Sequence, residues 1–344
     1  MAKLLISDII IPEVFDDYFL ERTATKTNLI TSGIVVPDSA IDTLARTGGT
    51  QISMPFFKDL TGSDQVLKDE TALTVASIAT GQDVARLLTR GDARSVNDLS
   101  GALSGTDPLR VIGSLISDWW LRQEQTTLVS LLTGVFLNNA ETSDAYHTQN
   151  DLINTHASEA TAGIKLWNDA APTVMCPEAI IDGQALLGDS AGNFTAIMMH
   201  SKCLTDLIKQ ELIDTERPSG GASTIYRYLD KEIIVDDQCP RRNGTSSGTN
   251  TVYQSFLFGK GAIGRGEGRA PVPSELERSA LDSDTRLITR RHYILHPRGF
   301  QWIEGSIDTP GEAGGPANSD LAGAAHWQRV YEKKNTRIAM IETN

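Results

Sequence analysis

Cysteine is scarce in this sequence. Only three occur among 344 residues, at Cys176, Cys203 and Cys239, and they are widely spaced with no CxxC pair. A disulfide framework or a zinc site needs closely patterned cysteines, so the sequence indicates neither. We interpret the three as small buried hydrophobic residues.

Long apolar runs are also lacking. No stretch approaches the roughly 20 apolar residues that a membrane-spanning helix needs. The first residues also lack the basic region, apolar region and small-residue cleavage site of a secretory signal. We therefore expect a protein that is made in the cytosol and has no membrane partner.

Positive charge is limited. The chain has 31 lysines and arginines against 44 aspartates and glutamates, which gives a formal net charge of −13. Its basic clusters are small, for example Arg241-Arg242 and Arg290-Arg291. A protein that works by neutralising phosphates needs a basic surface, so any contact with nucleic acid is expected to be weak or local.

One glycine-rich stretch raises the question of a nucleotide site. Residues 259–264 read GKGAIG and follow an apolar run, which matches GxGxxG. In a dinucleotide-binding fold this motif must open a helix that faces the pyrophosphate. The next ten residues contain two glycines and two prolines, which forbid an immediate helix. We interpret the stretch as a strand that turns sharply, and a nucleotide-binding enzyme is the distant alternative.

Other motifs of catalysis or metal binding are lacking too. His292 and His296 are four residues apart, but the sequence between them has no HExxH glutamate. On a strand they would lie about 13 Å apart, too far for two ligands of one metal. There is no GxSxG, Walker A or Cys–His arrangement. We therefore expect no catalytic residue, metal or cofactor, and a protein that is not an enzyme.

Two short apolar runs favour a β-hairpin. TQISMPFF (50–57) and TALTVASI (71–78) are strand-like and are joined by a polar, acid-rich segment. A third strand-like run follows at 85–96. A two-stranded hairpin is marginal alone in water, so its apolar side chains need a surface that this region does not obviously supply.

The strongest local signal predicts one long helix. Asp107 is a candidate N-cap, Pro108 suits the first helical position, and apolar residues recur at helical spacing from there onward. A helix over about 108–134 would be roughly 40 Å long, which is unusual for a globular protein. Such a helix has a structural role as a spine and is not expected to carry catalytic residues.

The rest of the chain mixes helices and strands. Helices are predicted near 177–188 and 201–214, and strands include TVYQSFLFG (251–259) and RLITRRHYILHP (286–297). The alternation is not the regular repeat of a doubly wound sheet. The predicted fold class is therefore α+β.

The order of these elements resembles that of the major capsid proteins of tailed double-stranded DNA bacteriophages. Three phrases, TGGTQISMPFFKDLTG, LLTRGDARSVNDLSGALSGTDPL and HWQRVYEKKNTRIAMIETN, are similar to those of phage coat proteins. The resemblance covers nearly the whole chain. The same fold forms the shell of encapsulin nanocompartments, which is the alternative.

The resemblance implies the tailed-phage capsid fold, with an arm, an extended hairpin called the E-loop, a peripheral domain and an axial domain. The implied ranges are the N-terminal arm (1–49), the E-loop (50–80), the peripheral domain (81–170) with its spine helix (about 108–134), the axial domain (171–258), the return to the peripheral domain (259–304), and a linker with a C-terminal helix or strand (305–344).

The resemblance also implies a function. Copies of the chain would assemble into the pentamers and hexamers of an icosahedral head that encloses double-stranded DNA without sequence-specific binding. The protein would be a virion component assembled in the host bacterial cytoplasm. Its expected partners are further copies of itself, a portal protein, possible decoration proteins and, because the arm starts almost at Met1, a separate scaffolding protein without proteolytic maturation.

Five residues are predicted to be intersubunit contacts: Phe56, Phe57 and Lys58 in the E-loop, and Asp92 and Arg94 in RGDARSV. Some relatives join an E-loop lysine to an asparagine of an adjacent subunit through an isopeptide bond. Lys58 and Lys68 lie in the corresponding loop. Ordinary exposed lysines are the favoured interpretation.

Overall fold

The computed structural model shows two large β-sheets joined by one long helix, together with two small two-stranded sheets. It describes residues 34–46, 49–60, 62–67, 73–75, 77–97, 108–140, 151–155, 174–210, 213–216, 225–243, 251–279, 281, 283–304 and 315–344. Most of the predicted N-terminal arm therefore lies outside the described residues.

The described residues form five α-helices and seventeen strands. The helices are α1 (Ser39–Arg46), α2 (Pro108–Ala140), α3 (Pro177–Ala185), α4 (Ser201–Lys209) and α5 (Asn318–Leu321). The strands are β1 (Val35–Pro37), β2 (Gln51–Phe57), β3 (Thr80–Arg86), β4 (Leu88–Asn97), β5 (Ile153–Thr155), β6 (Phe194–Met199), β7 (Asp214–Glu216), β8 (Ile225–Tyr228), β9 (Lys231–Val235), β10 (Arg241–Asn243), β11 (Thr251–Gly259), β12 (Ile263–Glu267), β13 (Ser274–Ser279), β14 (Asp284–Pro297), β15 (Phe300–Trp302), β16 (Trp327–Arg329) and β17 (Ile338–Thr343).

The first sheet is built around β14, which has 14 residues. β4 pairs antiparallel with β14 from Asp284 to Tyr293. The opposite edge of β14 is shared by β13 and then β12, and β1 adds a short parallel strand beyond β12. The strands predicted at 286–297 and in 85–96 thus pair with each other.

The second sheet has eight strands in the order β5-β17-β11-β6-β9-β8-β7, with β10 also paired to β11. β11 is the strand predicted at 251–259, and its neighbours β6 and β17 are almost wholly buried. The last strand of the chain therefore lies inside the sheet, between β5 and β11.

The helix α2 connects the two sheets. It has 33 residues and is about 50 Å long at about 1.5 Å per residue. Trp120 Nε1 donates to Thr289 Oγ1 on β14 at 3.2 Å, whereas the Phe136 ring lies 5.5 Å from that of Phe256 on β11. One end of the helix thus packs on the first sheet and the other on the second.

The helix α2 begins at Pro108 as predicted but ends at Ala140 rather than near residue 134. Its last turns are held by side-chain bonds. Asn138 Nδ2 donates to Ala324 O at 3.0 Å, and Asn139 Oδ1 accepts from Leu152 N at 3.1 Å. These partners come from distant segments, so local spacing did not indicate the extension. None of the described helices has both the length and the apolar character needed to cross a membrane.

The predicted hairpin forms, but its second strand lies elsewhere. β2 pairs with Thr80–Arg86, and the described residues of 71–78 are not in a strand. The physical reason is the side-chain register, which places Ile52 opposite Ala85 and buries both in a small apolar cluster against Ile294. The strand predicted from residue 85 accordingly begins at Leu88.

The glycine-rich stretch at 259–264 is a turn between strands. β11 ends at Gly259, Gly261 has a φ of +69°, and β12 begins at Ile263. Glycine suits this left-handed backbone, which is costly for residues with a Cβ. A strand follows the turn, so the sharp turn is confirmed and the helix that a dinucleotide fingerprint requires is replaced by β12.

An ion pair ties the segment after α2 to β16. Arg329 donates to both carboxylate oxygens of Asp151 at 2.7 and 3.1 Å, and Asn139 donates to the same carboxylate at 3.1 Å. Burial opposes ionisation of Asp151, but these bonds and the positive charge of Arg329 outweigh it. The pKa of Asp151 therefore lies below its ordinary 3.8.

Replacing this carboxylate should weaken the subunit in a pH-dependent way. We expect Asp151→Asn to lower the free energy of unfolding by about 1 kcal/mol at neutral pH, a value reduced for partial exposure. A lowered carboxylate pKa stabilises the fold above the unfolded value, and this contribution is lost as pH falls through the folded value. In denaturant titrations the difference from the parent should narrow below pH 3.8. The exposed Asp64→Asn variant is the control, and a difference that does not depend on pH would contradict the assignment.

Candidate intersubunit surface

Residues 50–80, the predicted E-loop, contain β2 and the connection that leads to β3. Just beyond the ladder, Lys58 N donates a hydrogen bond to Ala79 O at 2.8 Å. The described residues past this bond are irregular and all exposed. Gln65 joins the two limbs, because its amide donates to Thr74 O at 2.9 Å and accepts from Thr74 N at 2.8 Å. The Gln65 side chain thus connects the outgoing and returning parts of the loop through two hydrogen bonds.

Large apolar side chains of the E-loop face solvent. The exposed set is Phe57, Leu60, Val66, Leu67, Leu73, Val75 and Ile78. Val75 is 93% exposed and Phe57 is 76% exposed. Burying one such side chain is worth about 1.5–3 kcal/mol, and a contiguous exposed apolar surface marks an interaction site. We call these seven side chains the E-loop surface.

Three members of this surface were missed by the sequence analysis. Leu60, Val66 and Leu67 lie within the acid-rich connection, where polar neighbours mask them. The signal that could have revealed them is the presence of large apolar residues in a segment too short and irregular to bury them. Their exposure enlarges the surface predicted from the hairpin strands.

The two adjacent phenylalanines have different surroundings. Phe56 is half-buried, and its ring meets that of Tyr331 edge-on with centroids 4.9 Å apart. A side chain at Gly81 would collide with the same ring. Phe56 therefore packs within its own subunit, whereas Phe57 points away from it. Of the pair, Phe57 is the more exposed side chain, and the prediction that both contact another subunit stays a prediction.

The E-loop lysines are only partly described. Lys58 is exposed at the base of the loop, where its backbone continues the hairpin. Lys68 lies outside the described residues. Among the described residues, no group of three or more His, Cys, Asp or Glu side chains could hold a metal ion.

The other predicted contacts, Asp92 and Arg94, lie on β4. Arg94 Nε donates to Asp92 Oδ2 at 2.8 Å, and the guanidinium lies 5.3 Å from the centre of the Trp119 ring on α2. The Arg94 side chain thus contacts α2, and 47% of it stays exposed. The structure does not place them next to the E-loop surface, so they would belong to a separate contact.

The fold of this chain is similar to that of solved shell structures. The capsid of cyanophage Pam1 matches with a TM-score of 0.61 at 10% identity, covering 96% of this chain and 95% of that one. The capsid of Ralstonia phage GP4 matches with a TM-score of 0.58 at 9% identity, covering 96% and 95%. The SrpI encapsulin complex of Synechococcus elongatus matches with a TM-score of 0.56 at 10% identity, covering 96% and 91%. The chain therefore has the capsid-shell fold.

Sequence comparison then identifies the family. Residues 124–337 match the family model described as Gp13-like, major capsid protein 13-like. The chain is also 37% identical over 345 residues to the major capsid protein of Bacillus phage SPP1, covering 99% of this chain and 98% of that protein. The chain belongs to the Gp13-like family of major capsid proteins.

These findings confirm the predicted class of fold and of function. The protein is a structural component of a bacteriophage virion, with a mixed helix and sheet capsid fold. The encapsulin alternative is weaker, because the likeness to SrpI is at 10% identity and shows the fold alone, whereas the phage relative is similar in sequence over its full length.

Proposed function

We propose that copies of this chain assemble into the pentamers and hexamers of an icosahedral head that encloses double-stranded DNA. The observation that carries the proposal is the E-loop surface, whose apolar side chains are exposed among the residues that the structure describes. An extended two-stranded hairpin is marginal in water unless something packs on it. A neighbouring copy would bury these side chains in every capsomer.

The proposed domains follow the sequence ranges given above. Residues 81–170 and 259–304 would form the peripheral domain, a division supported by the pairing of β4 with β14. Residues 171–258 would form the axial domain, a division supported by the adjacent strands β6, β9 and β11. β17, from the C-terminal segment 305–344, pairs with β11, so part of that segment would also contribute to the axial domain.

The proposed partners are further copies of the chain, a separate scaffolding protein, a portal protein and possible decoration proteins. Assembly would occur in the host bacterial cytoplasm. DNA would be enclosed without sequence-specific contacts. The net charge of −13 supports this, because a strongly basic inner surface would bind phosphates tightly and oppose packing and ejection.

Electron microscopy of the protein expressed with its neighbouring genes tests the proposal. We expect uniform closed shells tens of nanometres across. Expressing the parent chain by itself and then together with the scaffolding gene shows whether a separate scaffold is needed for shells to form. Discrete small oligomers in the presence of every neighbouring gene would contradict the proposal.

We expect the assembled shells to carry no covalent cross-link through Lys58 or Lys68. Boiling purified shells in detergent should then release a single monomer band on a gel. The matched control is a Lys58→Arg/Lys68→Arg variant, which keeps both charges but has no primary amine for an isopeptide bond. A ladder of covalent oligomers in the parent that disappears in this variant would refute the expectation.

A further inference from the structure

The base of the E-loop hairpin joins the body mainly through side chains. β2 and β3 form a two-stranded sheet of their own, which is not part of either large sheet in the described structure. One side of this base packs in the small apolar cluster with Ile41 and Ile294. Apolar contacts have little directional preference. They hold the hairpin on the body but leave its angle weakly defined.

A buried polar cluster occupies the same base. Asp83 on β3 is 3% exposed, and His296 at the end of β14 is 1% exposed. Asp83 Oδ1 lies 3.0 Å from His296 Nε2, and Asp83 Oδ2 accepts a hydrogen bond from Gly299 N at 3.2 Å. The first contact is close enough for an ion pair but lacks the geometry of a hydrogen bond. One carboxylate thus joins the hairpin to both ends of the β14–β15 connection.

A second contact is made by Arg86, three residues after Asp83 on β3. Arg86 is buried, and its Nη2 lies 3.4 Å from Glu304 Oε1. Gln51 and Trp302 both donate to the other oxygen of Glu304, at 2.6 and 3.0 Å. Arg86 and Asp83 therefore attach the same hairpin to two separate points of the body.

We propose that Asp83, Arg86, His296 and Glu304 form a polar pivot that sets the angle at which the E-loop leaves its subunit. The inference deepens the proposed function, because it concerns how the E-loop surface is aimed at a neighbouring copy. Buried ionic groups gain little net stability over apolar residues of similar volume. The hydrogen bonds from Gly299 N to Asp83 and from Gln51 to Glu304 are directional, so they define an orientation of the hairpin on the body.

The E-loop amplifies small changes at the pivot. The outgoing limb, residues 58–67, has ten residues beyond the ladder and would span about 33 Å if it were fully extended. A rotation of about 10° at the base would then move the tip by about 6 Å, more than the width of one side chain. An error of that size would displace the E-loop surface from its contact on the next subunit.

The pivot is tested by measuring the hairpin angle in unassembled subunits. Spin labels at Ser63→Cys and Glu178→Cys report one distance between the outer part of the E-loop and α3, because both parent residues are exposed. The three native cysteines are buried, and burial raises the pKa of the Cys203 and Cys239 thiols, so they should remain unlabelled. Asp83→Ala removes both contacts of the carboxylate.

We expect one narrow distance distribution in the parent and in the control Asp59→Asn, which changes an exposed E-loop carboxylate. Asp83→Ala should broaden or shift the distribution by several ångströms and lower the yield of closed shells at least tenfold. If Asp83→Ala fails to fold by circular dichroism, the apolar pair Asp83→Leu/His296→Leu provides the measurement. An unchanged distribution in a folded pivot variant would overturn the inference, whereas absence of shells from the parent would instead contradict the proposed function.

Discussion

Phe57→Asp is expected to abolish closed shells while leaving a soluble, folded subunit. Phe57 is 76% exposed in the subunit, so its replacement removes almost no intrachain contact. Surface changes of this kind usually alter the free energy of unfolding by less than about 0.5 kcal/mol. The stability of the unassembled subunit should therefore stay close to that of the parent.

The large effect arises in the interface. Losing a buried phenylalanine forfeits about 1.5–3 kcal/mol, and burying an unpaired carboxylate adds a further cost. One such contact corresponds to a loss of about tenfold or more in affinity. A closed shell repeats the contact at every subunit, so the losses accumulate and assembly should fail.

The measurement is the fraction of protein that sediments as shells, with electron microscopy of the same samples. Phe57→Leu keeps an apolar side chain and should retain shells, which makes it the matched control. Phe56→Leu is the second comparison, because Phe56 packs on Tyr331 of its own subunit and should affect stability more than assembly. Normal shells from Phe57→Asp would exclude Phe57 from the interface.

Local signals in the sequence predicted the elements that local physics controls. The start of α2 at Pro108 follows from a proline at the first helical position and from regular apolar spacing. The turn at 259–264 follows from glycines and prolines that forbid a helix. These features depend on neighbours in the chain, so their physical causes are visible in a short segment.

Elements chosen by distant contacts were harder to predict. The run TALTVASI has high strand propensity, yet the chain pairs β2 with β3, which contains Gly81 and Asp83. The deciding factor is tertiary, because this register buries Ala85 beside Ile52. The pivot was missed for the same reason, since Asp83 and His296 are far apart in sequence and neither belongs to a recognisable motif.

The surface of the E-loop was predicted in part. Exposed apolar side chains were expected because a hairpin cannot cover itself, and Phe57 fits that expectation. The partner of Phe56 could not be predicted, because Tyr331 comes from the far end of the chain. Sequence thus indicates that a surface needs cover, while packing shows which side chains are already covered.

The second large effect is expected from Ile341→Asp in β17, which should prevent folding of the subunit. Ile341 is fully buried and pairs with Ser255 on β11 and Asn154 on β5. α3 also packs closely on it, since a Cβ on Gly183 would lie 2.7 Å from Ile341 Cγ1. A carboxylate there has no room to reach water.

The cost should be comparable to the whole stability of an ordinary domain. Removing the isoleucine packing costs about 2–5 kcal/mol, and burying an unpaired charge costs several more. Native domains are stable by only about 5–15 kcal/mol. We expect insoluble or unfolded protein by circular dichroism, whereas Ile341→Val should fold and lose about 0.5–1.5 kcal/mol in denaturant titrations. A soluble Ile341→Asp subunit with near-parent stability would contradict the buried position of β17.

The place of β17 has a consequence for the order of events. β17 pairs with β11 on one side and with β5 on the other, so β5 cannot join the eight-stranded sheet before this last strand is in place. The E-loop hairpin and its pivot are formed by earlier residues and by β14 and Glu304. A subunit that lacks β17 should therefore keep an exposed edge on β11, which favours aggregation over ordered assembly. Measuring soluble protein and closed shells for both variants distinguishes a defect of assembly from a defect of folding. Phe57→Asp should yield soluble subunits without shells, and Ile341→Asp should yield no soluble subunit.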